Sequence, residues 1–548
     1  MNYQQQLSSA IKLFKENKIK ESLNILLILN ENYPNDVTTL NYLALCMIHF
    51  KEFDRAKNFF LNSLSINAND TQVLNNLAFT YLKLQKYDLA KDTYLKIIYI
   101  DNKNIDAYLN LGSLYNNLEK YEETISLYDI AIKNNLISYK LFTNLSSAYL
   151  KLKEFDKAII YAEKSLDLNS NDIMAINNLA SVAIKEKKYD LAKKYLNKAL
   201  KIDPNNLSIF LNYGVLHKNL NENQEAINYF DKCIKINKSY HDAYLYKSVI
   251  ELSLNNFENG WKNYEYRWFK QKRRLASSLP LWSENGKLNK VLIWGEQGLG
   301  EQILFATIIQ DIINIFHSIT LVVDQKLKSI FKEKYPSINV FSYEDSWEKS
   351  DCNCQLPLGS LGYFFRKNVN QFPQIQNQNN YSNSKTNNKF KCGLSWRSVK
   401  SVEGESKSID LEDLTILLKL QDKIDFYNIQ YTDEHKKIED FSKSTGLKIQ
   451  SIPGLDTFND LAGLANHIKN FDFVVSISNT TAHLAGYLGT PTYVLLSKSI
   501  GKIWYWSNNQ NENNLWYPSA KTYRQKTQDQ WEIPLINLIN DLKGDFNF

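Results

Sequence analysis

The stretch NNLAFTYLKLQKYDLA, residues 75–90, sets two small residues, Ala78 and Ala90, on either side of a polar break at Gln85 and Lys86. Apolar residues recur at helical spacing on both sides of that break, so the stretch predicts two helices joined by a short turn. Outward from it, a small residue returns every 34 positions, at Ala44, Ala78, Gly112, Ser146, Ala180, Gly214 and Ser248. A second series, Ala56, Ala90, Thr124, Ala158, Ala192, Ala226 and Gly260, keeps the same interval. Aromatic residues such as Tyr87, Tyr121, Phe155 and Tyr189 stand three positions before its middle members. Small residues at a fixed interval mark places where two antiparallel helices cross closely, and large ones fill the space between.

The bulk numbers bound what such a chain does. Its 548 residues suffice for several domains with ample buried core, and 44% apolar content is ordinary for a folded chain. A formal charge of +6 is small for this length, and the lysines are interspersed with acidic residues, which disfavours nucleic acid as a partner. Five cysteines, at 46, 233, 352, 354 and 392, show no zinc-ribbon spacing, so reduced thiols and no bound metal are expected. The N-terminal residues already read as an amphipathic helix, and no apolar run reaches the length of a membrane span. The cytoplasm is the expected location.

The 34-residue period resembles the tetratricopeptide repeat. It implies an α-solenoid over residues 1–270, about seven to eight helix pairs stacked into a right-handed superhelix with a concave binding face. Asn76, Asn110, Asn144, Asn178 and Asn212 occupy one repeat position, two before the small residue, in five successive units. A similar asparagine ladder lines the repeat arm of O-GlcNAc transferases and hydrogen-bonds the backbone of an extended peptide. An amide offers a donor and an acceptor to any peptide group, which suits that task; a solvated helix face is the alternative. Tyr42 and Tyr246 end the ladder.

After Gly260 the repeat decays into GWKNYEYRWFKQKRR, whose aromatics suit the capping of an exposed repeat end. A linker is expected over 271–288, with Pro280 and Gly286 at the boundary. Beyond it, short β-rich runs (VLIWG, ITLVVD, INVFSY, CGLSW, FYNIQY, KIQSIP, FVVSIS and TYVLL) mostly alternate with helical stretches, which implies parallel sheet. A polar segment, 368–388, separates the runs into two Rossmann-like α/β lobes, 289–367 and 389–548. Ligands of such sheets bind beyond the carboxyl ends of the strands, here in the crevice between the lobes.

Two strand ends carry candidate chemistry. VLIWGEQGLGEQILFA, residues 291–306, runs from a strand through Gly295, Gly298 and Gly300 into a helix. The P-loop spacing is present, but Glu301 and Gln302 stand where Lys and Ser/Thr are required, and a carboxylate there would repel phosphate. In FDFVVSISNTTAHLAGYLGTPTYVLLS, residues 471–497, a buried strand stops at Ser478 and Asn479, Thr480 and Thr481 open a helix. Free N–H groups at that terminus suit a diphosphate, and His483 either donates to the same anion or is structural.

The segment from Ser478 to Gly489, the glycine turn at Gly298 to Glu301 and the tail LWYPSAKTYRQ look like the ADP-heptosyltransferase family of glycosyltransferases, in its branch fused to tetratricopeptide repeats. That resemblance implies the GT-B fold, with a nucleotide-sugar on the second lobe and the acceptor approaching from the first. It implies Glu301, in place of the family's usual Asp, as general base on the acceptor hydroxyl, although a glutamate in a first helical turn also simply favours the dipole. Without a metal ion, positive charge must meet the departing diphosphate. Arg397, Lys400 and Lys407 follow the strand GLSW, and Lys407 resembles the family's phosphate-contacting lysine. Gln430 and Tyr431 end the next strand, and Glu434 matches a residue at the donor ribose. Ser478 stands where the family often has Asp, and Arg524 lies in the tail motif.

The expectation is an inverting, metal-independent glycosyltransferase with no cofactor beyond its nucleotide-sugar substrate, acting on a protein held by the repeat arm. Two rivals stand beside it: transfer to a surface polysaccharide or lipid-linked glycan, and an interaction scaffold whose transferase half is degenerate.

Overall fold

A computed structural model describes residues 2–269, 275, 277–284, 289–373, 389–398, 404, 407–498, 504–506, 514–527 and 529–547. Lys400 and most of the expected linker at 368–388 lie outside the described residues. The chain divides into two compact units, Met1–Leu216 and His217–Phe548.

The first unit is built of antiparallel helix pairs, beginning with Tyr3–Lys15 and Ile19–Asn32 and recurring through Ile173–Lys185 and Tyr189–Ile202. The small residues do what their spacing predicts. Ala44, Ala78, Ala90, Ala180 and Ala192 are fully buried, and a Cβ on Gly112 would lie 2.2 Å from the Tyr128 ring. Ser146 gives its hydroxyl to the facing helix, its Oγ donating to the Ala158 carbonyl at 2.8 Å. Ser22 Oγ donates likewise to the Ala10 carbonyl at 2.8 Å, and these two residues stand 34 positions before Ala56 and Ala44, so both series begin one repeat earlier.

Each helix pair turns on one left-handed residue. Asn17, Lys51, Gln85, Glu119, Lys153 and Lys187 have φ between 58° and 64° and are themselves 34 residues apart. At the third turn, Gln85 N–H reaches the Leu82 carbonyl and Lys86 N–H the Tyr81 carbonyl at 2.9 Å, closing the helix end. The residue types vary, so this period is invisible to composition; backbone geometry alone carries it.

The second unit opens with the helices Asn223–Ile236, His241–Ser253 and Phe257–Tyr264 and a 3₁₀ turn, Glu265–Phe269. Two parallel sheets follow. The first has strands β1 (Lys290–Trp294), β2 (Ser318–Val323), β3 (Asn339–Ser342) and β4 (Cys354–Pro357) in the order β3-β2-β1-β4. The second has β5 (Phe390–Ser395), β6 (Ile424–Asn428), β7 (Phe473–Ile477), β8 (Thr492–Leu496) and β9 (Ala520–Arg524) in the order β6-β5-β7-β8-β9. Strands β7 and β8 are buried throughout, as parallel strands covered on both faces must be.

Three features depart from the sequence reading. Strand β9 was not expected, because AKTYR mixes charge with aromatics, whereas β4 lies where Cys352 and Cys354, one residue apart, already suggest a strand. KIQSIP makes a single bridge, Gln450 to Tyr427, and no strand. Residues 280–282, expected within a linker, bridge to β4, where Trp282 N–H donates to the Gln355 carbonyl and Gln355 N–H to the Pro280 carbonyl, both at 2.9 Å. The aromatic cap is also more than a cap. Trp261 is fully buried in one apolar core with β1 and the helix Leu299–Ala306, and its Nε1 donates to the Arg366 carbonyl at 2.9 Å. Among the described residues no helix is long and apolar enough to cross a membrane.

Candidate functional site

Both sheets reverse strand order, at the edge pair β1/β4 in the first and at the inner pair β5/β7 in the second. Such reversals leave a crevice beyond the carboxyl strand ends, where ligands of parallel sheets bind. At the first reversal, β1 runs into the glycine turn, and the Glu296 carboxylate accepts from the N–H of Gly359, just past β4, at 3.1 and 3.3 Å. At the second, Asn479 caps the helix Thr480–Leu488 by accepting from Ala482 N–H at 3.2 Å. Its Nδ2 donates to Ser395 Oγ at the end of β5, 2.8 Å away. Asn479 thus joins the two strand ends, and its side chain is occupied in doing so.

The two reversals meet. A Cβ on Gly300 would stand 2.8 Å from His483 Cδ2, so the glycine lets one helix start pack on the other. None of Gly295, Gly298 and Gly300 adopts positive φ; Gly300 is required by close approach and not by backbone conformation. His483 is 3% exposed, with Nδ1 and the Tyr517 hydroxyl 2.8 Å apart. Burial, with the nearby Lys407 charge, depresses its pKa to about 3, so the ring is neutral at ordinary pH. Ser478 Oγ accepts from Trp506 Nε1 at 2.9 Å.

Glu301 lies on the first turn of its helix and accepts from Gly298 N–H at 3.3 Å. Burial raises the phenol pKa values of Tyr505 and Tyr264, and the Glu301 charge adds to both. The Tyr505 ring in turn packs edge-on to His483, with centroids 4.8 Å apart. The structure therefore brings Glu301, Tyr505, His483 and Lys407 into one neighbourhood. Glu301 lines a cavity of about 450 Å³ with Tyr264, Arg267, Glu296, Trp504 and Tyr505, and with Leu245, Ser248 and Val249 of the last repeat.

The remaining donor candidates divide. Arg397 and Glu434 line a separate cavity of about 420 Å³, with Arg397 Nε 3.5 Å from Glu434 Oε1 and Lys437 3.1 Å from the other oxygen. Thr480 is half-buried and Thr481 buried at the helix start. Gln430 does not face either cavity. Its Oε1 accepts from Ser395 Oγ, Trp396 N–H and Arg397 N–H, at 3.1, 2.9 and 2.9 Å, and its Nε2 donates to the Arg397 carbonyl at 2.9 Å. It shapes the loop that carries Arg397. Arg524 sits at the end of β9 and donates to the Ser497 carbonyl at 3.3 Å, and burial lowers its pKa to about 10.

In the first unit the asparagine ladder is half-buried at Asn76, Asn110, Asn144 and Asn212, and buried at Asn178. Its amide nitrogens staple successive repeats: Asn110 Nδ2 donates to Asn75 at 3.0 Å and Asn212 Nδ2 to Asn177 at 2.8 Å. Asn178 Nδ2 donates to Ser147 Oγ at 2.9 Å. The ladder thus holds the repeats together as well as facing outward. Asn76 and Asn110 line a cavity of about 500 Å³ with Asn75, Phe79, Tyr87 and Ser113. Among the described residues no group of three or more His, Cys, Asp or Glu side chains is placed to hold a metal.

Models of the tetratricopeptide repeat match residues 105–135, 139–172, 173–206 and 207–240. The N-terminal region is a tetratricopeptide-repeat solenoid. A model of the coatomer epsilon subunit matches residues 4–104 of the same region. Protein FlbA of Caulobacter vibrioides is 24% identical over 328 residues, covering 54% of this chain and 53% of FlbA, so the chain spans about half the length of that curated relative. A tetratricopeptide-repeat protein from Parabacteroides merdae covers 45% of this chain and 98% of its own at 14% identity and a TM-score of 0.41. YrrB, described as a tetratricopeptide-repeat protein with an unusual peptide-binding site, covers 34% of this chain and 95% of its own at 24% identity and a TM-score of 0.27.

What sequence reasoning missed is the contribution of the repeat end to the cavity. Arg267 and Tyr264 stood within a run read only as apolar capping, and Trp504 and Tyr505 lie in no strand or helix. Glu296, adjacent to the glycine turn, was passed over in favour of Glu301.

Proposed function

We propose that the chain is a glycosyltransferase of GT-B type that moves a sugar from a nucleotide-sugar to a protein hydroxyl brought to the site by the repeats. One observation carries the reading: the cavity holding Glu301 is lined also by Leu245, Ser248 and Val249 of the last repeat. Leu245 and Val249 stand at the same repeat positions as Asn75 and Phe79, which line the cavity beside the asparagine ladder. The repeat positions that line the cavity beside the ladder thus recur, in the last repeat, beside a carboxylate fit to act as a base. The comparisons support protein binding by the repeats; the sugar transfer is our inference from the second unit.

In this reading the acceptor hydroxyl enters the cavity and loses its proton to Glu301 as its oxygen bonds to the anomeric carbon. The bond from that carbon to the diphosphate breaks on the opposite face, which inverts configuration. The departing charge is met by the N-terminus of the helix Thr480–Leu488, by Lys407 and by Arg397. His483, neutral and buried, packs against Gly300 and adds no charge to that of Lys407 nearby.

The test is a thermal-shift panel of UDP-, GDP-, ADP-, dTDP- and CMP-linked sugars on the full chain and on Lys407→Ala. A donor that binds only the folded state raises its apparent stability with concentration. Stabilisation of the wild type by one donor, lost or reduced in Lys407→Ala, is the expected result. No shift with any donor removes the transferase reading and leaves a protein-interaction scaffold.

A further inference from the structure

We propose that Arg267, on the 3₁₀ turn that ends the repeats, is a positioning residue for Glu301, acting through Glu296 and the glycine turn. The proposal rests on the transferase reading of the same site and adds a residue from outside the sheets to its machinery.

The Arg267 guanidinium is held at both terminal nitrogens and stacked between two rings. Its Nη1 donates to Glu265 at 2.6 Å, and its Nη2 donates to Ser360 Oγ at 2.7 Å and to Glu296 at 3.0 Å. The Tyr264 and Trp268 rings lie 4.6 and 4.2 Å from its central carbon. Burial works against its charge, and Glu296 and Glu265 more than offset this, holding its pKa above the usual value. Burial likewise raises the pKa of Glu296, with Arg267 opposing. The two side chains are 2% and 3% exposed, so neither charge has water to turn to if the pair parts.

Glu296 is the residue from which the glycine turn hangs. Two ties reach the turn from the repeat end: the Arg267–Glu296 pair and a hydrogen bond from Gln297 Nε2 to the Tyr264 hydroxyl. From its own side the turn has the Tyr343 hydroxyl on the Gly295 carbonyl at 2.5 Å, Gly359 N–H on Glu296, and Gln302 Nε2 on the Gln297 carbonyl at 2.7 Å. Gly298 N–H then meets the Glu301 carboxylate, so a shift of residues 296–298 is passed to it. Arg267, Glu296 and Glu301 all line one cavity. A planar fork with several donors fixes this arrangement; a lysine, with one point charge on a flexible stem, keeps the charge but not the angle.

The experiment measures donor turnover, donor KM and melting temperature for wild type, Arg267→Lys, Glu301→Gln and the double variant. Tyr264→Phe, which removes only the hydroxyl met by Gln297, serves as a milder second probe. Arg267→Lys is expected to lower kcat at least about tenfold, since small misplacement of a reacting group costs up to about a hundredfold. Donor KM should stay within about twofold, and the loss should vanish on the Glu301→Gln background. Tyr264→Phe should lower kcat in the same direction by less. A loss confined to KM, or equal with and without Glu301, overturns the proposal. If the wild type turns over no donor, the transferase reading falls first, and amide exchange then judges the positioning by itself. Faster exchange across Gly298–Glu301 in Arg267→Lys, with β7 unchanged, upholds the tie, and unchanged exchange there overturns it.

Discussion

His483 lies against Gly300, its Cδ2 2.8 Å from where a β-carbon on that glycine would sit. The ring cannot retreat, because Tyr517 holds its Nδ1 and the Tyr505 and Trp506 rings flank it. Gly300→Ala is therefore expected to destabilise the second unit by about 1–3 kcal/mol, the usual cost of overpacking a rigid contact. Urea unfolding followed by tryptophan fluorescence checks this, and an unchanged midpoint would show that the contact yields.

The same histidine makes stability depend on pH. Its folded pKa of about 3 lies below the ordinary 6.5, so its contribution is complete above 6.5 and is lost as pH falls toward 3. One proton bound on unfolding corresponds to about 1.4 kcal/mol per pH unit, or about 2 kcal/mol between neutrality and about pH 5. Unfolding measured at both pH values should show His483→Gln losing less stability on acidification than the wild type. Parallel losses would mean that the ring charges within the fold.

The ladder positions should separate by burial. Asn178 is buried and donates to Ser147 Oγ, so Asn178→Ala should cost about 1–3 kcal/mol by leaving that network short of a donor. Asn76 is half-buried, and Asn76→Ala should stay within about 0.5 kcal/mol. Paired denaturation curves decide it; equal costs would show the ladder to be uniform.

The boundary between repeats and sheets offers a fourth outcome. Leu252, Phe257, Trp261 and Tyr264 belong to one apolar core with β1 and the helix Leu299–Ala306. A fragment of residues 217–548 should unfold cooperatively on heating, whereas one of residues 289–548 should bare that core and show no sharp transition by circular dichroism. A sharp transition in the shorter fragment would uphold the division read at residue 270.

The repeats were legible because a helix crossing needs a small residue at a fixed register, and each such need recurs locally every 34 residues. The ladder was legible for the same reason, yet its inward hydrogen bonds were not, since Asn178 reads like Asn76 until the neighbouring repeat is in place. Glu301 and His483 stood out at helix starts and Lys407 in the loop after GLSW; that they share one neighbourhood with Tyr505 was not legible. Gln430 was read as a donor contact, whereas its hydrogen bonds hold the loop before it.

The sequence by itself therefore determined the helix pairs, the change to parallel α/β structure and the residue types at the strand ends, all set by short-range periodicity and backbone preference. Only the tertiary structure decided that Gly300 and His483 touch, that Trp261 is shared with the sheet core, and that Arg267 reaches Glu296. Those partners stand tens to hundreds of residues apart, and what selects them is burial of charge and shape between surfaces that do not exist until the chain has folded.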